Sequence, residues 1–466
     1  MNHIHDCVNA WRSGLRARAA TLGGMTSFRR TPALALSFAG FLTQLDVTAV
    51  VVALPVIGDD LGFGLAAYAW TMDAYSLAFT ATLLAAGALA DRYGRRRALL
   101  AGNALFAVAS LACGVAWDGP TLWAARAAQG FAAAFVITGS ISLTAGAYPD
   151  SADRARAYGL AGIVSGAAMA IGPTLGGLVA AWFGWRWIFL ANIPFCLLAA
   201  WIVPRLVAEE RAAEPRPLDP LGIALLTLAL GIAIETLLAG HTAMQLTIGT
   251  AASLVCASLF VGQQRRQPQP VLDPALLTQP AMIAVSLLLI TASIGYWAVL
   301  VYLPLFLTTS FGLSTAQAGV GILAATLPMV FLPPLAGRLA TRGGWRTLFA
   351  SGLGLVAAGD ILLALWPTWT MALLGMGVIA TGAALVQSQL SGAVVTLAPP
   401  GQAGVASALT IVMRQGGFAI GIAALGAALG AERDIGGYTS LFSWAGLAAA
   451  AGAGAALLLL PKARTA

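Results

Sequence analysis

Gly87-Ala-Leu-Ala-Asp91-Arg92-Tyr-Gly94-Arg95-Arg96-Arg97 is a polar loop set between two long apolar runs. A second loop, Gly337-Arg-Leu-Ala-Thr341-Arg342-Gly-Gly344-Trp-Arg346, lies 250 residues further on and repeats its Gly, Leu, Ala, Arg, Gly and Arg. Thr341 stands where the first copy has Asp91. Self-similarity at a fixed offset means that the chain is built twice from one unit. The unit consists of apolar runs with arginine-rich turns between them, so its solvent must be lipid.

Composition agrees. Of 466 residues, 59% are apolar and 9% charged, whereas soluble domains run at about 45–50% and about 25%. Too little charge is present to cover a soluble surface, and the hydrophobicity excludes disorder. The 53 glycines show no three-residue period, which excludes collagen. What remains is an all-α, polytopic membrane protein. Cys7, Cys113, Cys196 and Cys256 are scattered, as are His3, His5 and His241. Neither a disulfide framework nor a metal site is indicated, and no cofactor is expected. The net charge of +7 would suit a nucleic-acid partner, but the arginines sit at the ends of apolar runs, so none is expected.

Fourteen apolar runs are long enough to span a bilayer: 33–57, 68–90, 98–116, 121–144, 156–182, 187–204, 220–240, 244–262, 281–307, 315–337, 347–366, 369–397, 403–428 and 438–460. Setting aside the pair within 220–262 leaves two sets of six. The expected organisation is a basic arm at 1–32, a six-helix bundle at 33–207 and a linker with two extra helices at 208–280. A second bundle at 281–460 and a tail at 461–466 follow. Alternate loops carry 21 Lys and Arg on one side and 2 on the other. The positive-inside rule then places both termini in the cytoplasm, in a multi-pass protein of the cell (inner) membrane. Residues 1–24 differ from the rest, and Met25 opens a segment, MTSFRRTP, that would serve by itself before the first span. The first span is too long for a signal peptide. Trp70, Trp117, Trp182, Trp185, Trp187, Trp201, Trp366 and Trp369 lie near span ends and read as interface anchors.

Six charged residues fall inside spans: Asp46, Asp73, Arg126, Glu235, Asp360 and Arg414. A charge there costs roughly 2.5–3.5 kcal/mol on insertion scales and is a functional hypothesis by default. Arg126 needs an acidic or substrate partner, unless it snorkels to the surface. Asp73 enters its span at a similar depth, so the two could pair. Glu235 lies in the extra helix pair and could simply face the outer interface.

The Gly87–Arg97 loop matches, almost residue for residue, the GxLaDrxGrkxxl motif of the major facilitator superfamily, and the chain resembles that superfamily's fourteen-spanning drug:proton antiporter branch over residues 33–460. Leu122-Trp-Ala-Ala-Arg126-Ala-Ala-Gln129-Gly130 resembles its lxxxRxxqG element, and Gly172-Pro173-Thr-Leu-Gly176-Gly177 its exporter motif GPxxGG. Leu45-Asp46-Val-Thr48-Ala-Val-Val51-Val-Ala-Leu54-Pro55 is similar to LDxTxVNVALP, with Val51 in place of Asn. Met413-Arg414-Gln415-Gly416-Gly417 resembles RQxG, and Phe183 to Pro194 also fits the branch.

The resemblance implies a proton-coupled exporter of a small amphipathic compound, working as a monomer by alternating access. Asp46, Asp73, Arg126, Gln129, Glu235 and Arg414 are the candidates for proton coupling and the substrate cavity. Asp46 is the first choice for proton carrier and Arg126 for its modulator. Gly87, Asp91, Arg92, Gly94, Arg95 and Arg96 would form a latch holding the halves together on the cytoplasmic side. Gly172, Pro173, Gly176 and Gly177 would form a hinge, since proline removes a helix hydrogen bond and glycine permits close helix approach. No GxxxxGK[ST] loop occurs, so the proton gradient is the expected energy source. A dedicated exporter of one endogenous metabolite fits the same motifs. A membrane-embedded enzyme would need acidic or histidine clusters at a membrane face, and Asp59-Asp60, the only acidic doublet outside the linker, is expected to have no basic partners nearby.

Overall fold

The computed structural model describes residues 30–148, 150–211, 219–239, 242–267, 279–366, 368–397, 403–430 and 435–460. The arm with Met25 and the tail lie outside them. The described residues are almost wholly helical. In order they form α1 (Arg30–Leu61), α2 (Leu65–Tyr93), α3 (Arg95–Gly114), α4 (Gly119–Ala147), α5 (Ser151–Phe183), α6 (Arg186–Leu190) and α7 (Asn192–Leu206). The pair α8 (Pro220–Ala239) and α9 (Ala243–Gln264) follows. Then come α10 (Pro280–Ala292), a π-helical segment (Ser293–Ala298) and α11 (Val299–Phe311), which together make one rod. The remainder is α12 (Thr315–Gly321), α13 (Leu323–Thr326), α14 (Pro328–Phe331), α15 (Pro333–Leu365), α16 (Trp369–Leu397), α17 (Ala403–Leu429) and α18 (Ile435–Leu459).

The helix ends follow local chemistry. Asp118 caps α4 by accepting from the Thr121 backbone N–H at 2.9 Å, with Pro120 in the first turn. Thr242 with Gln245, and Ser314 with Gln317, form reciprocal capping boxes for α9 and α12. Gly94 separates α2 from α3 with φ of 117°, a backbone that only glycine adopts at little cost.

Ten of these helices are long and apolar enough to cross a membrane, and eleven if the bent pair Tyr68–Leu83 and Ala85–Tyr93 is one span. The sequence pattern predicts fourteen. The other three expected spans correspond to shorter apolar helices, Pro220–Ala233, Thr315–Phe331 and Met413–Leu429. The run 315–337 is not one helix, because Pro328 and the Pro333-Pro334 pair each withdraw a backbone donor and divide it. Residues 333–365 are divided again at Gly344, whose φ is 73°.

The two ends of the bundle differ. At the end carrying the exposed Trp117, Trp182 and Trp366, the largest apolar cluster joins Ala49–Ile57 of α1 to Val299–Leu307 of α11 and to Ala318 and Ala325. At the opposite end, where Arg95–Arg97 lie, the cores are separate. One contains Ala35, Leu36, Leu99, Val136 and Val203, and the other Met282, Val285, Leu348, Val386 and Leu460. The chain's two portions are therefore sealed together at the tryptophan end and packed independently at the arginine end. Trp185 departs from the expected surface role: it is buried, and its indole donates to Asp60 at 3.0 Å.

Candidate functional site

A closed polar cluster lies between α1, α3, α4 and α7. Its centre is an ion pair of Arg126 Nη1 and Asp46 Oδ2 at 2.5 Å, with both side chains 0% exposed. The other carboxylate oxygen accepts from Asn192 Nδ2 at 2.6 Å and from Gln129 Nε2 at 3.3 Å. Gln129 also accepts from Arg126 at 2.8 Å and donates to Ser110 Oγ at 2.8 Å. Arg126 Nε donates to the Thr71 carbonyl at 3.2 Å, and its guanidinium lies over the Tyr75 ring, 4.6 Å from the centroid.

Local sequence explains the assembly. Arg126 and Gln129 are three apart on α4 and so share a face. Gly130 permits the approach of α2, since a methyl there would meet the Tyr75 carbonyl oxygen. Asp46 sits midway along α1. Asn192 is the first residue of α7, so the break after α6 turns its amide inward. A buried ion pair is costly to build and more costly to halve: removing one partner strands the other, at about 3–5 kcal/mol. Chemically, the carboxylate is held by one guanidinium and two amide donors. Arg126 Nη2 has no hydrogen-bond partner among the described residues, so the guanidinium holds a donor in reserve.

Of the sequence candidates, the structure brings together Asp46, Arg126 and Gln129. It leaves the others apart. Asp73 does not pair with Arg126, because Thr71 and Tyr75 present the α2 face that meets the arginine and Asp73 points the other way. Both its carboxylate oxygens are buried without a hydrogen-bond partner among the described residues. Glu235 is exposed on α8. Arg414 is half-buried on α17 and makes no hydrogen bond or ion pair with the cluster among the described residues. Asp360 is fully buried without a partner, next to Gly446 of α18. Asn192 and Ser110 join the site without having been singled out by sequence. Asn192 carried one signal, an amide inside an otherwise apolar, aromatic stretch.

The Gly87–Arg97 loop forms a second polar cluster. Arg95 Nε contacts Asp91 Oδ1 at 2.9 Å, and Arg95 Nη1 reaches Glu210 at 3.5 Å. The backbone N–H groups of Arg96 and Arg97 donate to the two oxygens of Glu209 at 2.9 and 3.1 Å. A carboxylate thus seats on the N-terminus of α3, where unpaired N–H groups and the helix dipole favour it. Burial pushes the Glu210 carboxyl above its ordinary value, Arg95 opposes that rise and Glu209 adds to it. The sequence motif implies that this loop latches the two halves. In the structure Asp91 holds Arg95, which reaches Glu210, while Arg96 and Arg97 hold Glu209, at the head of the linker.

The glycines of α5 make close approaches. A methyl at Gly172 would meet Thr48 Oγ1, one at Gly176 would meet the Ala49 carbonyl oxygen, and one at Gly177 would lie 2.8 Å from the Thr315 carbonyl oxygen. Thr174 Oγ1 donates to the Gly319 carbonyl at 2.9 Å. The motif therefore packs α5 against both α1 and α12, within the seal at the tryptophan end.

Comparison with known proteins fits this geometry. The Major Facilitator Superfamily model matches residues 36–422 and 285–465. Multidrug resistance protein Stp of Mycobacterium tuberculosis (strain CDC 1551 / Oshkosh) is 31% identical over 86% of this chain and 76% of its own length. Methylenomycin A resistance protein of Streptomyces coelicolor (strain ATCC BAA-471 / A3(2) / M145) is 32% identical, over 86% of each. Cephamycin export protein CmcT of Amycolatopsis lactamdurans is 32% identical over 88% of this chain and 87% of its own. Among solved structures, a peptide transporter POT in complex with sulfate superposes with a TM-score of 0.68 at 16% identity, covering 92% of this chain and 94% of the other. That likeness establishes the fold.

Proposed function

Because the chain belongs to the Major Facilitator Superfamily, a family of transport proteins rather than enzymes, we propose that it is a proton-coupled antiporter that exports a small amphipathic compound, in multidrug or antibiotic efflux. The observation that carries the reading is the buried Asp46–Arg126 pair. Relatives named for multidrug resistance, methylenomycin A resistance and cephamycin export support the export direction. CmcT favours a second version of the reading, in which the cargo is one endogenous product.

The proposed architecture is fourteen spans in two six-helix repeats, with α8 and α9 inserted between them, in the cell membrane as a monomer with both termini cytoplasmic. The arginine end is then cytoplasmic and the present arrangement faces inward. Asp46 is the proton carrier. When it is ionised, Arg126, Asn192 and Gln129 hold it. When a proton reaches it, the attraction for Arg126 falls and the guanidinium is released, so proton and arginine alternate on one carboxylate. The α5 glycines are the hinge by which the tryptophan end opens, and the Gly87–Arg96 loop is the latch at the cytoplasmic end.

Proteoliposomes with an imposed pH gradient, loaded with a substrate identified from a growth-inhibition panel, test this. Wild type accumulates substrate against its gradient, and Asp46→Asn binds substrate without accumulating it. Full gradient-driven transport by Asp46→Asn sinks the assignment. Arg126→Ala loses coupling, and Arg126→Lys retains part of it.

A further inference from the structure

Five of the six charged residues inside the spans leave no free positive charge in the interior. Asp46 and Arg126 neutralise each other in a closed cluster. Asp73 and Asp360 are buried acids and bring no cation. Glu235 is exposed on α8, outside the two bundles. Arg414 remains, half-buried, with no ion pair or hydrogen bond among the described residues.

Its direction follows from the contacts of α17. Gly417 and Gly421 face the π-helical rod, against Ile290, Ser293, Ile294 and Ala298. Ala419 and Ala423 face α2, against Trp70 and Leu77. Gly416 faces the inserted helix α8, at Leu230. At about 100° per residue, Arg414 lies about 20° from Gly421, at the edge of the rod face and on the side away from α8 and α2. Phe418, one turn on and on the same side, belongs to the apolar cluster that joins the two bundles, so this edge is turned toward the interior between them.

The rod presents matching groups. Gly295 packs against Val356 and Ala449, the Tyr296 hydroxyl donates to the Ala325 carbonyl at 2.9 Å, and Ala298 lies against Gly421. The direction left over belongs to Trp297, and the wide π turn brings Ser293, at the edge of the Gly417 contact, nearly into line with it. Such π segments concentrate at functional sites. Ser293 Oγ and Trp297 Nε1 are both buried without a partner. Ser293 is at the Gly417 contact, one turn of α17 from Arg414.

Arginine and tryptophan side chains donate and cannot accept, and a serine hydroxyl can donate. Unpartnered buried donors are costly, and a group supplying negatively charged acceptors satisfies all three. We propose that Arg414, Ser293 and Trp297 bind the acidic group of the substrate, so that the cargo is an amphipathic compound bearing a carboxylate or similar anion and not a lipophilic cation. The inference rests on the export reading and names its substrate class.

Rhodamine 110, a carboxylic acid, and rhodamine 123, its methyl ester, isolate the anionic group on one skeleton. Their binding to the detergent-purified full chain is read by fluorescence anisotropy, with melting curves as the folding control. Wild type binds the acid at least about tenfold more tightly than the ester, the scale of a hydrogen bond to a charged group. Arg414→Gln abolishes the preference and Arg414→Lys keeps part of it. Trp297→Phe preserves the ring, removes the donor and weakens acid binding alone, which covers the case of an unfolded arginine variant. Wild type that binds neither dye or favours the ester overturns the inference, as does a preference that survives both Arg414→Gln and Trp297→Phe. A chain that favours the acid but fails the pH-gradient test loses only its coupling. A chain that exports cations under the gradient and shows no acid preference loses only the substrate class.

Discussion

Asn192 shows what a single side chain contributes to the polar cluster. Its amide is the shorter of two amide contacts to Asp46 Oδ1, at 2.6 Å against 3.3 Å from Gln129. Asn192→Leu leaves a buried carboxylate one donor short, at about 1–3 kcal/mol. The melting temperature falls and the coupling of proton to substrate weakens. An unchanged melt would show that a water takes the amide's place. At the other polar cluster, Asp91→Asn reduces transport more than Thr341→Asp changes it, because Asp91 holds Arg95 at 2.9 Å. The comparison is made at matched expression, and equal rates for Asp91→Asn and wild type refute the latch. Depth along a span was legible in the sequence, and direction was not. Asp73 and Arg126 share a depth, yet residue 73 is turned away from the face of residues 71 and 75. Asp46 and Asn192 were each visible as polar residues in apolar stretches, but their meeting across 146 positions is a product of packing.

Helices meet at backbone distance where glycine permits it. The α1–α5 contact is such a seam, with Gly172 and Gly176 under Thr48 and Ala49. Gly176→Val must drive the two helices apart, and overpacking of this kind costs about 1–3 kcal/mol. Transport is lost and the melting temperature falls. Gly162, on the same helix, faces open space, with nothing within 4 Å of the point a methyl carbon would occupy. Gly162→Ala therefore leaves both unchanged or raises stability slightly. Similar losses for the two variants would mean that α5 glycines serve helix flexibility and not contact. The elements themselves were legible wherever an apolar run ended at a capping residue or glycine, as at Asp118 and Gly94. The run 315–337 reads as continuous in hydropathy, whereas the structure shows short helical pieces there with breaks before Pro328 and Pro333, where a backbone donor is missing.

At the scale of the molecule, two bundles with an inserted pair are the organisation proposed from the repeat of one loop and from the distribution of arginine. Orientation is the part that geometry does not fix. Reporter fusions after Glu210 and Gln264 should read as cytoplasmic and one near His241 as external. A cytoplasmic His241 would mean that α8 and α9 do not cross. A chain beginning at Met25 should insert and transport as the full chain does, and loss of insertion would assign the additional arginines a topological role.

The inserted helix α8 lies across the junction of the bundles, with Gly231 under Leu77 of α2 and Leu230 against Gly416 of α17. The opposite junction, between α5 and α12, has no such cover among the described residues: Leu178, Gln317, Val320 and Trp369 line an open groove of about 640 Å³ there. The two flanks of the molecule therefore differ, one curtained by a helix that lies across the junction and the other bare, with an open groove in its wall.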